Sequence, residues 1–178
     1  MQVREHSTVR EGVVTGVIGA LIVAIWYFVF DAASGRPLYT PSVLGKFLFH
    51  GSLRPGIQPI LPSVLLGYTL VHFVLFALVG MGLTLLVHQS TRNPTLRMGV
   101  WLGLVVAFCF FAGMTFMLTT ASGNRLPLWS VIGGSLVGVL AMAGFLWSRH
   151  PRLRRSFDES ALGAEGRAPP HPPGAPRV

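Results

Sequence analysis

Charged residues are scarce in this chain. They make up 11% of its 178 residues, against 51% for hydrophobic residues, whereas an ordinary soluble domain carries about 25% charged residues. Four stretches contain no Asp, Glu, Lys or Arg at all, and they cover residues 12–30, 63–89, 98–124 and 126–148. This shortage of charge excludes an ordinary cytosolic enzyme.

Cysteine and the usual catalytic groupings are also missing. Cys109 is the single cysteine, so an internal disulfide and a cysteine metal cluster are excluded. Paired carboxylates, a Ser/His/Asp arrangement, a phosphate-binding glycine loop and a metal-ligand spacing do not stand out. We therefore interpret the protein as non-enzymatic and predict neither a catalytic residue nor a metal site.

A haem group is the one cofactor to weigh, because His72 lies within an apolar stretch. A haem with two axial ligands needs the second on a facing helix, and the other three charge-free stretches contain no histidine. Met114 or Met117 offers a sulfur, but methionine is more often a flexible packing residue. We expect no cofactor.

What the sequence does contain is four long apolar runs. Each can cross a bilayer, which needs about 20 apolar residues in a helix, and backbone amides in lipid must be satisfied within such a segment. We predict an all-α, polytopic membrane protein whose transmembrane domain covers residues 12–150, with helices at about 12–30, 63–88, 98–119 and 127–148. Residues 1–11 form a short N-terminus, and residues 151–178, rich in Pro, Gly and Ala, are predicted to be a disordered tail.

Basic residues are distributed unevenly along the chain. Cytoplasmic loops carry an excess of Lys and Arg, which predicts that both termini and the 88–97 loop are cytoplasmic. The lipid bilayer is the expected partner, and nucleic acid is not, because the basic residues flank the spans. The predicted cytoplasmic side holds Arg4, Arg10, Arg92, Arg97, Arg149, Arg152, Arg154 and Arg155, and the other side holds Arg36, Lys46, Arg54 and Arg125.

The outer loop, residues 31–62, is long for a connection in a compact bundle, and such loops usually have structure or function of their own. Thr40-Pro41 resembles a helix start, and Val43, Leu44 and Phe47 recur at helical spacing. We predict a short amphipathic helix at about 41–50 lying in the outer interface, with Lys46 reaching toward lipid headgroups.

The first and third predicted helices share a sequence pattern, which we call the echo. Arg10-x-Gly12-Val13-x-x-Gly16-x-x-x-Ala20 recurs as Arg97-x-Gly99-Val100-x-x-Gly103-x-x-x-Ala107. Related Ala-Ser-Gly segments follow both helices, at 33–35 and 121–123. The echo predicts two parallel helix-loop-helix repeats.

Small residues recur every four positions in three of the predicted helices. Helices in lipid associate through close packing at such positions and through hydrogen bonds. We interpret them as internal packing seams, with contact to another subunit as the alternative. The residues are Gly12, Gly16 and Ala20, then Gly99, Gly103 and Ala107, then Gly134 and Gly138.

His72 is the deepest ionisable residue in the predicted spans. Because burying an ionisable group in a membrane is costly, such a residue is a candidate for a functional role. Tyr68 lies one turn earlier on the same face. Together with residues of the outer loops it defines a candidate polar mouth. The alternative is purely interfacial, with Asp31 paired to Arg36 and Arg125 snorkelling to the surface. The candidate mouth comprises Asp31, Arg36, His50, Tyr68, His72 and Arg125.

The first third of the chain carries a recognisable pattern. The segment Asp31-x-x-x-Gly35-Arg36-Pro37-x-x-Thr40-Pro41-x-x-Leu44-Gly45, behind an Arg-Glu-Gly helix start, resembles uncharacterised four-helix membrane proteins of GC-rich bacteria. The resemblance implies the topology and a bacterial inner membrane, and nothing catalytic.

Two functional hypotheses follow from these patterns. The leading one is a non-catalytic accessory or scaffold component of a membrane complex, motivated by the lack of buried charge and by the small-residue seams. The alternative is a small oligomeric transporter or channel with an outward-facing polar mouth near His72. Both hypotheses expect a homo-oligomer or other membrane subunits as partners.

Overall fold

The structure, a computed structural model, describes residues 8–51, 60–92, 97–123 and 126–150. These ranges form five α-helices and no strand, which confirms the all-α prediction. Four of the helices are long and apolar enough to cross a membrane, so this is a membrane protein. The helices are α1 (Thr8–Ala33), α2 (Tyr39–His50), α3 (Pro62–Arg92), α4 (Arg97–Ala121) and α5 (Leu128–Arg149).

The long helices extend beyond the charge-free stretches at most of their ends. α1 begins at Thr8 and includes Glu11, and α3 continues to Arg92, because helical hydrogen bonding does not stop where the apolar run stops. The predicted tail at 151–178 and the first seven residues lie outside the described residues. The cytoplasmic orientation of the termini and the inner-membrane location stay predictions.

α1 packs against α3 at glycines, and the two helices run antiparallel. A Cβ atom added to Gly12 would lie 2.6 Å from the Cα of Met81, and one added to Gly16 would overlap the backbone of Phe76 and Ala77. Gly80 of α3 approaches the backbone of α1 equally closely. Only glycine permits such a close approach of two helix backbones.

α5 packs along another side of α1, also antiparallel. A Cβ added to Gly134 would lie 2.9 Å from Cδ1 of Trp26, and one added to Gly138 would lie 2.5 Å from Cγ2 of Val23. Ala20, completely buried, lies in the core between these contacts. The first and last helices are therefore direct neighbours.

α4 completes the bundle between α3 and α5. A Cβ on Gly103 would meet the Leu86 side chain at 2.7 Å, and the ring of Phe111 stacks on that of Phe76 with centroids 3.9 Å apart. Ala107 is buried in the core, whereas Gly99 has no neighbouring atom within 4 Å of where a Cβ would lie. Gly99 is thus the one seam glycine with open space beside it.

The contact pairs also give the helix directions. α1 and α4 run one way, and α3 and α5 run the other, so the α1–α3 and α4–α5 hairpins are parallel as the echo predicts. Their origin by duplication remains a prediction.

α2 folds onto one end of the bundle, called here the α2 end. The predicted helix at 41–50 is present, but its placement was wrong in one respect. Lys46 is only 2% exposed, so it does not extend to a surrounding headgroup layer. Val43 and Leu44 are equally buried, and a Cβ on Gly45 would contact Val64 of α3 at 2.8 Å. Helical periodicity was right for Val43 and Leu44, but Leu48, which also follows this spacing, is 42% exposed. The buried residues of α2 instead include Lys46.

Candidate functional site

His72 lies in the middle of α3 and faces α1. Its Nε2 lies 3.1 Å from the carbonyl oxygen of Ala20, and because a carbonyl oxygen only accepts, Nε2–H is the donor. In the neutral ring Nδ1 then carries the lone pair. The imidazole also stacks near Tyr68, with centroids 6.1 Å apart, and contacts Phe76 at 4.7 Å.

Two adjacent cavities meet at His72, and we call them the His72 cavities. The larger, about 160 Å³, lies between α1, α2 and α3. The smaller, about 60 Å³, also reaches α4 and α5, where Ser135 lines it. Both are mainly apolar. They share four lining residues, Val23, Tyr27, Tyr68 and His72.

Tyr27 is the residue of this site that the sequence pattern did not reveal. Its side chain lines both cavities, and the residue is 9% exposed. Within the described part of the chain its hydroxyl has no hydrogen-bond partner. An unsatisfied buried hydroxyl costs about 1–3 kcal/mol.

The small-residue seam of α1 describes only the first part of its buried face. Beyond Ala20 the buried face moves to Val23, Tyr27 and Asp31. Strict four-residue spacing would instead have continued to Ala24 and Phe28, which are exposed, so the seam pattern alone does not lead to Tyr27.

Asp31 fixes the start of α2. Its carboxylate oxygens accept hydrogen bonds from the backbone N–H and the hydroxyl of Thr40, both 2.7 Å long, and the residue is 2% exposed. The Asp31–Arg36 pair of the interfacial alternative is therefore wrong, whereas its snorkelling Arg125 lies outside the described residues. The Arg36 guanidinium instead lies over the ring of Tyr39, 5.5 Å from its centroid, because the carboxylate is already used in capping α2.

The structure brings only part of the candidate mouth together. Tyr68 and His72 line the cavities, and Asp31 holds α2 over them. Arg36 and His50 are exposed and line neither cavity. Arg125 lies outside the described residues. Leu38, Thr40 and Pro41 line the larger cavity from the α2 side. Phe28 also lines it and is 48% exposed, so this cavity reaches the surface of the bundle.

A second polar group lies at the other end of the bundle, and no metal site was predicted there. Glu11 Oε2 is 3.7 Å from His88 Nε2, and Glu11 Oε1 is 3.5 Å from His150 Nδ1. The two imidazole rings meet edge to face at 5.0 Å. The three residues are far apart in sequence, so their spacing gives no sign that they meet.

The chain is similar to MdtD. Over 157 residues, 85% of the chain, it is 26% identical to this protein of Serratia proteamaculans (strain 568), which is named as a candidate multidrug resistance protein. The chain covers 32% of that relative, about a third of its length. No family model matches the chain, and no solved structure matches it.

Proposed function

We propose that this protein is a membrane transport component that holds a small, mainly apolar solute in the His72 cavities. The observation that carries the proposal is Tyr27, whose side chain lines both cavities and whose buried hydroxyl has no hydrogen-bond partner among the described residues. A solute with one hydrogen-bonding group would satisfy it.

The lining indicates the chemistry of the solute. Ala24, Phe28, Leu65 and Phe73 supply apolar surface. Among the described residues, those lining the two cavities include no carboxylate, ammonium or guanidinium group. An ion would therefore be poorly compensated at this depth, which favours a neutral solute. A cavity of about 150 Å³ holds a benzene molecule, so the larger cavity has room for a solute of that size.

The similarity to MdtD supports transport as the process. Four helices offer little room for a continuous pathway, so the proposal includes a homo-oligomer or a second membrane subunit. A larger solute would displace α2, because Leu38, Thr40 and Pro41 line one side of the larger cavity.

An accessory or scaffold role is the second candidate, and the exposed face of α4 favours it. Gly99 and Gly113 have no atoms within 4 Å of a would-be Cβ, and small residues allow a helix of another subunit to approach closely. In that role the His72 cavities would be dispensable for assembly.

Two measurements test the transport proposal. A short-chain alcohol carrying a photoreactive diazirine should label Val23, Tyr27, Tyr68 and His72, which line both cavities, when the protein is held in lipid nanodiscs. Expression of this protein in a bacterial strain that lacks its main efflux pumps should lower the cellular accumulation of the neutral dye N-phenylnaphthylamine.

Tyr27→Phe is the decisive variant, with Tyr39→Phe outside the cavities as its matched control. Loss of a hydrogen bond worth about 1 kcal/mol should weaken alcohol binding about fivefold, and Tyr39→Phe should bind like the wild type. If the alcohol labels only lipid-facing residues and dye accumulation does not change, the transport proposal is wrong. A stable complex with a partner protein that does not need the His72 cavities would then support the scaffold role.

A further inference from the structure

We propose that Glu11, His88 and His150 form a binding site for a divalent transition-metal ion such as Zn²⁺. One ligand atom from each residue can be chosen so that all three lie within 4.8 Å of one another. Carboxylate oxygen and imidazole nitrogen are both regular zinc ligands. Sixteen residues of helix, roughly 24 Å, separate Glu11 from Tyr27, so this inference is independent of the His72 cavities.

The separations fit a shared ion better than direct hydrogen bonds. The Glu11 oxygens lie 3.7 Å from His88 Nε2 and 3.5 Å from His150 Nδ1, beyond the usual range of about 2.7–3.2 Å for N–H···O bonds. Two ligands at about 2.0–2.1 Å from a tetrahedral zinc lie roughly 3.3 Å apart. Small side-chain shifts would therefore place these atoms around one ion.

Backbone carbonyls orient both imidazoles. His88 Nδ1 lies 2.9 Å from the carbonyl oxygen of Thr84, and His150 Nδ1 lies 3.2 Å from that of Leu146. In His88 the Nδ1–H donates to the carbonyl, so the lone pair is on Nε2, the nitrogen that faces Glu11. In His150 the nitrogen that faces Glu11 is Nδ1 itself, so as a metal ligand it would exchange its hydrogen bond to Leu146 for the ion and carry the proton on Nε2. Metal-binding histidines almost always donate their other N–H to such an acceptor.

The ring geometry also suits a common ion. In His88 the Nε2 atom faces Glu11, and in His150 the Nδ1 atom does. The rings are inclined at 83° to each other, so their nitrogens can approach an ion from different directions. Three protein ligands would leave a fourth position for water or another ligand.

The ligands come from three parts of the bundle. Glu11 is in the first turn of α1, His88 is near the end of α3, and His150 directly follows α5. A bound ion would therefore link these three helices where α2 is absent, at the end opposite to the His72 cavities.

Zinc binding to the full-length protein tests the site. The protein, carrying a histidine-free affinity tag, is treated with a chelator and dialysed against Zn²⁺ in detergent, and bound metal is counted by mass spectrometry. We expect one Zn²⁺ per chain at this site and a higher thermal unfolding midpoint with Zn²⁺. His88→Ala and His150→Ala should each weaken binding at least about tenfold and abolish the shift.

Control variants separate this site from other histidines. His50→Ala, at the opposite end of the bundle, and the double variant His6→Ala/His171→Ala should keep the zinc-dependent shift. His88→Gln and His150→Gln retain polarity and bulk in case the alanine variants do not fold. Equal zinc binding by the wild type and a folded His88→Gln/His150→Gln double variant would overturn the proposal, as would no binding by the wild type.

Discussion

The indole Nε1 of Trp26 donates a 3.0 Å hydrogen bond to the carbonyl oxygen of Ser130. This bond joins α1 to the first turn of α5, and the indole lies against Gly133 and Gly134, where a Cβ would come within 2.7 Å and 2.9 Å of it. Aromatic residues near span ends are usually interfacial anchors. Trp26 instead links the first and last helices of the bundle.

Replacing Trp26 with Phe should therefore destabilise the protein modestly. The variant keeps an aromatic ring but loses the hydrogen bond, which is worth about 0.6 kcal/mol on average between membrane helices. Trp129→Phe is the control, because Trp129 is 61% exposed. Thermal unfolding in detergent should place Trp26→Phe below Trp129→Phe, and equal midpoints would contradict the assigned role.

Enlarging Gly16 should be far more damaging than enlarging Gly113. A Cβ at Gly16 overlaps the backbone of α3, whereas Gly113 has nothing within 4 Å. Overpacking usually costs about 1–3 kcal/mol, and the rigid backbone puts Gly16→Leu at or above the upper end of that range. The amount of monodisperse protein after size-exclusion chromatography gives the readout. Parallel losses in Gly16→Leu and Gly113→Leu would argue against the α1–α3 contact.

Removing the Asp31 carboxylate should loosen α2. Asp31→Ala takes away both acceptors of Thr40, and loss of a capping side chain costs about 0.5–2 kcal/mol. Hydrogen exchange at the amides of residues 40–43 should accelerate, while exchange in α5 should not change. Ser34→Ala, which removes an exposed hydrogen bond to Phe30, serves as the control, and unchanged protection of Thr40 in Asp31→Ala would exclude the cap.

The stabilising effect of the hydrogen bond between His72 and Ala20 should depend on an N–H donor at position 72 and not on the imidazole ring itself. His72→Gln keeps an N–H that can reach the Ala20 carbonyl, whereas His72→Leu does not, so Leu should lower the unfolding midpoint more than Gln. The hydrogen bond is worth about 0.5–1.5 kcal/mol. A larger loss in the Gln variant than in the Leu variant would show that this hydrogen bond is unimportant.

The sequence predicted the elements well because their signals are local. Charge-free runs identified the four long helices, and Thr40-Pro41 with Val43 and Leu44 identified α2. The burial of Lys46 was not predictable in the same way, because it depends on how closely α2 folds onto α3.

The two polar sites were less accessible to prediction for the same reason. His72 could be identified from the sequence as an ionisable residue in an apolar run. The position of the Tyr27 hydroxyl near His72 becomes evident only from the packing of α1 against α3. Glu11, His88 and His150 meet through the packing of α1, α3 and α5, and each residue by itself has an ordinary explanation at a helix end.

The pairing of α1 with α5 also has a consequence for biogenesis. Trp26 and Ser130 are 104 residues apart in the chain, and a ribosome working at about 5–20 residues per second needs roughly 5–20 s to synthesise that distance. During this time the α5-facing side of α1, including Gly19 and Val23, has no native partner and must be sheltered by lipid or by the insertion machinery. A nascent chain arrested before α5 would therefore be a natural target for membrane quality control.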